Sequence, residues 1–165
     1  MDKNNYFETR ALTTIDKINA ILETLPYFVQ DFFVGIENRT SPLTRLNYAY
    51  DLRIFFNYLS KRRYKGKEPS EITLKDIEQL EVSEIEMYLS YLSRYTINGK
   101  QESCTEHGKA RKLASLRSFY KYFFSFACSF SFARWTRFLQ AETLIPRESA
   151  ISSWDLPSMA SSFSS

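Results

Sequence analysis

Glycine, histidine and cysteine are scarce in this chain: its 165 residues include four glycines, one histidine and two cysteines. Each shortage removes a class of chemistry. The glycines Gly35, Gly66, Gly99 and Gly108 stand apart and form no phosphate-cradling loop. The single histidine, His107, leaves no histidine-based catalytic constellation. With Cys104 it makes a lone C-x-x-H and no second pair, whereas zinc takes about four ligands. Cys104 and Cys128 are too few for a disulfide framework, which predicts a reduced, cytoplasmic protein. No G-x-S-x-G nucleophile motif occurs. No apolar run approaches the roughly 20 residues of a membrane span, and the polar start MDKNNYFETR lacks the apolar stretch of a signal peptide. The expectation is a protein with no metal, no cofactor, no small-molecule substrate and no membrane anchor.

What remains is enough for a core. Hydrophobic residues make up 44% of the chain, and the formal net charge is only +3, so any anionic partner must be met by clustered cations. Composition changes sharply near residue 124. All 11 tyrosines, 10 lysines and 7 asparagines precede it, and none follows, while residues 125–165 hold both tryptophans and 11 serines. Three segments are therefore expected: an N-terminal helical extension over 1–25, a helical domain over 26–124 and an irregular tail over 125–165.

Periodicity predicts helices before the boundary. Ile15, Ile18, Ile21, Leu22 and Leu25 recur at helical spacing over 13–25. Pro26 suits the first position of a second helix, ending near Asn38. Ser41 caps a third, PLTRLNYAYDLRIFFNYLSKR, whose Tyr48, Leu52, Phe55, Phe56 and Leu59 share a face while Asn47, Tyr50, Arg53 and Asn57 look away. Thr73 and Ser83 are expected to cap two further helices, with Gly99 at the second one's stop. Thr105 caps the last, EHGKARKLASLRSFYKYFF. In it Leu113, Leu116, Phe119, Tyr120 and Phe123 gather inward, and Arg111, Ser115, Ser118 and Tyr122 gather on the opposite side. No sustained strand alternation appears, so the fold class is all-α.

The cations favour two places. Thr44 and Arg45 lie in the first turn of the third helix, and Lys109, Arg111, Lys112 and Arg117 lie along the last. Helix starts and lysine or arginine side chains suit phosphate, and Ser115 and Tyr122 add hydroxyls. A solvated surface is the plainer reading of these charges, as it is of the acidic Glu78, Glu81, Glu84 and Glu86.

Two blocks carry a family resemblance. SPLTRLNYAYDLRIFFNYLSKR resembles the first strong block of the core-binding domain of tyrosine recombinases, the phage-integrase and Xer-like family, at Ser41, Thr44, Tyr48, Asp51, Leu52, Phe55 and Leu59. ARKLASLRSFYKYFF is similar to that family's second block at Arg111, Leu113, Leu116, Arg117, Ser118, Phe119, Tyr120 and Tyr122. The resemblance spans roughly 26–124. It implies a four-helix, SAM-like bundle that grips one face of double-stranded DNA. By position it implies DNA contacts from Thr44, Arg45 and Arg111, and more weakly from Asn47, Lys109, Ser115 and Lys121. Tyr48, Phe55 and Tyr120 match the family but fall, by helical phase, in the core.

The resemblance also shows what is missing. A whole recombinase of this kind needs a catalytic arginine, a His-x-x-Arg box and a nucleophilic tyrosine. Residues 125–165 hold neither Tyr nor His, and His107 is followed at the third position by Ala110. The expectation is a DNA-binding domain separated from its catalytic half, without strand cleavage, whose tail is a shifted frame or a degraded gene end. The alternative is a helical protein–protein module, such as a regulator that binds a recombinase protomer.

Overall fold

The computed structural model describes residues 3–97 and 99–124. The irregular tail expected over 125–165 lies outside the described residues. Helix α1 runs Lys3–Leu22, α2 Tyr27–Ile36 and α3 Pro42–Arg62. Next come α4 Leu74–Glu78, α5 Val82–Tyr91, a hairpin of β1 Tyr95–Ile97 and β2 Lys100–Glu102, and α6 Glu106–Phe124. Single 3-10 turns, Glu37–Arg39 and Pro69–Glu71, follow α2 and precede α4.

Local chemistry sets the helix starts. Ser41 Oγ accepts the Thr44 N–H at 3.2 Å, and Pro42, with no N–H to lose, opens α3. At α4 the exchange is reciprocal: Asp76 N–H donates to Thr73 Oγ1 at 3.2 Å and Thr73 N–H to Asp76 Oδ2 at 2.9 Å. Thr105 Oγ1 receives the Gly108 N–H at 3.2 Å and starts α6. Ser83 does not cap α5. The helix starts at Val82 behind Glu81, whose N–H donates to Glu84 Oε2 at 3.1 Å, so a glutamate three residues on supplies the acceptor.

Gly99 also differs from expectation. It ends no helix; its φ of +75° places it in the turn of the hairpin that pairs Ile97 with Lys100. The Asn98-Gly99 dipeptide is a strong two-residue hairpin signal, because type I′ turns need φ above zero.

The helices close over one core. Leu52, Phe55, Phe56 and Leu59 of α3 are fully buried, as are Phe32 of α2, Ile85 and Tyr88 of α5, and Phe119 of α6. Phe119 stands edge-on to Phe32 at 5.5 Å and to Phe56 at 6.1 Å, joining three helices through ring contacts. Helix α1 belongs to the same core: Ile18, Ile21 and Leu22 are buried in it and the helix packs on α3. The expected all-α helical bundle is what forms. No helix among the described residues is long and apolar enough to cross a membrane.

Candidate nucleic-acid interface

The N-terminal half of α3 meets the start of α6 through a buried carboxylate. Asp51 is fully inaccessible, and four donors from α6 converge on it. Arg111 Nη1 donates to Oδ2 and Nη2 to Oδ1, each at 2.8 Å. Lys112 Nζ donates to Oδ1 at 3.1 Å and Ser115 Oγ to Oδ2 at 3.1 Å. A buried carboxylate is tolerated only when it is paired and hydrogen-bonded in this way.

The four side chains are unequally exposed. Asp51 and Ser115 are sealed, Lys112 is nearly so, and the Arg111 side chain is 41% exposed. One carboxylate faces two cations, so the cluster carries a surplus of one positive charge, and Arg111 is where that surplus reaches solvent. A guanidinium has five N–H groups. Two of those on Arg111 are taken by Asp51, and no other acceptor among the described residues engages it.

Thr44 and Asn47 precede Asp51 by seven and four residues, so the three lie along one stripe of α3, and Asp51 at its end is bound to Arg111. Thr44 is half-buried, its hydroxyl 2.9 Å from Ser41 Oγ, and Asn47 is exposed. Lys121 is exposed about 15 Å further along α6 at 1.5 Å per residue. The α3 stripe of Thr44 and Asn47 thus leads to Asp51, which holds Arg111, and Lys121 lies farther along α6.

Other expected contacts are engaged elsewhere. Arg45 is buried; its Nη1 donates to the carbonyls of Glu37 at 2.7 Å and Thr40 at 3.1 Å, and Nη2 lies 3.5 Å from Glu37 Oε1. It clamps the 3-10 turn onto α3. Lys109 is largely covered and pairs with Glu106 at 2.9 Å. Ser115 does not point to solvent: the side of α6 expected to face outward turns toward α3 at this level, because Asp51 offers it a partner. Tyr122 is 41% exposed, but its ring rests on Gly35 and stands edge-on to Phe32 at 5.7 Å. Tyr48 is half-buried, while Phe55 and Tyr120 are core residues as phase predicts. Burial raises the Tyr120 phenol far above its usual range, so the hydroxyl keeps its proton, and it donates to the Ile77 carbonyl at 3.3 Å.

Asp51 and Lys112 are the site residues whose roles the sequence reading missed. Both carried a signal. Asp51 follows Tyr48 by three residues and precedes Leu52, at the edge of an apolar stripe. Lys112 sits one turn before buried Leu116. Opposite charges at the rims of two apolar faces call for each other when those faces pack.

The family described as phage integrase, N-terminal SAM-like domain, matches residues 29–125, more than half of the chain. The chain belongs to this family. The integrase SAM-like segment contains every residue of the Asp51 cluster and of the Thr44–Asn47 stripe. A tyrosine recombinase XerC from Caldanaerobacter subterraneus subsp. tengcongensis is 37% identical over 102 residues, covering 57% of this chain and 27% of that relative. The chain therefore spans about a quarter of that relative's length. No solved structure matches. Among the described residues no group of three or more His, Cys, Asp or Glu could hold a metal ion.

Proposed function

We propose that residues 26–124 bind double-stranded DNA as the core-binding part of a tyrosine recombinase, in the cytoplasm, without cleaving a strand themselves. The observation that carries this is the half-exposed Arg111, held bidentately at the head of a cluster with one surplus positive charge. Thr44 and Asn47 extend the same face with uncharged donors, and Lys121 adds a second cation; membership of an integrase family supports the ligand. Arg45, Lys109 and Ser115 serve the face indirectly, by fixing the backbone and side chains behind it. Phosphate contacts should dominate.

With about three to five contacts, log K should fall against log salt with a slope near −3 to −4.5. Fluorescence anisotropy of the 165-residue chain on a mixed-sequence duplex, across a salt series, tests this. Absence of salt-dependent binding at low salt would remove the DNA reading while leaving the fold intact. A second reading, a protein–protein module, is favoured by Tyr27, Val34 and Leu12, large apolar side chains at 76%, 71% and 63% exposure on α2 and α1. Light scattering with a recombinase protomer separates the two.

A further inference from the structure

We infer that Asp51 is a positioning residue for DNA binding: it fixes the Arg111 guanidinium so that its unused N–H edge faces the phosphate. The inference rests on the DNA reading above but concerns a residue that touches no DNA. Asp51 is fully buried on α3, 60 positions from Arg111, and reaches it only through the packed α3–α6 contact. It grips both η nitrogens at 2.8 Å. Rotation about the last bonds of the arginine would break two charge-assisted bonds at once. Lys112 and Ser115 hold the carboxylate from the other side at 3.1 Å each, so Asp51 cannot follow Arg111 outward. An arginine fixed in this way loses little freedom on meeting a phosphate, whereas a free one must be ordered first.

The inference makes a prediction of sign. Judged by Coulomb attraction alone, Asp51 is a negative charge near a polyanion, and Asp51→Asn should tighten duplex binding. Positioning requires the reverse. Duplex affinity across a salt series is to be measured for the full chain, Asp51→Asn, Arg111→Ala and the double variant, with circular dichroism confirming that each is folded. Asp51→Asn should weaken binding by about tenfold and reduce the magnitude of the salt slope by up to about 0.9, one phosphate's share. In the Arg111→Ala background it should weaken binding no further. Tighter or unchanged binding in folded Asp51→Asn overturns the inference. If the wild type itself shows no salt-dependent binding, the DNA reading falls first.

Should Asp51→Asn fail to fold, nitrogen-15 spectra of the free wild type decide. Resolved Arg111 Nη signals are expected from a clamped guanidinium, and a single averaged signal overturns the proposal.

Discussion

The Arg111–Asp51 ion pair bears on stability and, under the proposed function, on DNA binding. Breaking a buried pair costs about 3–5 kcal/mol because it strands a charge. Arg111→Ala strands less, since Lys112 and Ser115 still contact Asp51 and the arginine was partly solvated. A loss of about 1–2 kcal/mol is expected in urea unfolding, together with weaker duplex binding. Tyr88 poses the opposite case. Its hydroxyl is buried and makes no hydrogen bond among the described residues, and burial raises its phenol well above the ordinary value. Tyr88→Phe should therefore leave the urea midpoint unchanged or raise stability by up to about 1 kcal/mol. A clear loss would show that the hydroxyl has a partner.

Elements depend on contacts no wider than one side chain. Gly35 lies inside α2, where alanine would ordinarily favour the helix by about 1 kcal/mol. A Cβ there would collide with the Tyr122 ring of α6. Gly35→Ala is thus expected to destabilise by about 1–2 kcal/mol. In that background Tyr122→Ala should cost less than it does alone, a coupling readable from thermal melts of the four proteins. The α4 cap responds to pH. The hydrogen bond from Lys67, 2.9 Å from Oδ2, and that from the Thr73 N–H hold the Asp76 carboxyl down at about 2, against an ordinary 3.8. A depressed carboxylate stabilises the fold above its unfolded value and loses that effect as pH falls through its folded value. Asp76→Asn should accordingly lower the melting temperature at neutral pH, with the gap closing between about pH 4 and pH 2.

At this scale the sequence was informative wherever a signal is local. The Ser41, Thr73 and Thr105 caps and the apolar face of α3 follow from spacing alone, and so do the core positions of Phe55 and Tyr120. The turn at Gly99 is equally local, since an Asn-Gly pair in the sequence favours a hairpin, but a glycine there also suits a helix stop. The direction of Ser115 was not local. A serine across the helix from Leu113 and Tyr120 looks solvent-facing until Asp51, 64 residues earlier, is placed beside it.

Over the whole molecule, the family match begins at residue 29, but the core begins earlier. Ile18, Ile21 and Leu22 of α1 are 5%, 4% and 8% exposed. Burial of three such side chains contributes roughly 4.5–9 kcal/mol, against a typical total of about 5–15. A chain beginning at residue 26 should therefore melt far below the 165-residue chain or fail to fold. Circular dichroism melts of the two compare them directly, and equal melting temperatures would mean that α1 is dispensable.

The 60 positions between Asp51 and Arg111 also bear on the order in which the protein is made. During synthesis α3 leaves the ribosome well before α6, and at that stage Asp51 is a carboxylate without its α6 partners, at the place where the proposed DNA face will form. Only when residues 111–115 emerge and dock does the local sign reverse, from one negative charge to one positive. Before that docking the face lacks the cation on which the proposed DNA contact depends, so affinity at this face would arise only with completion of the bundle.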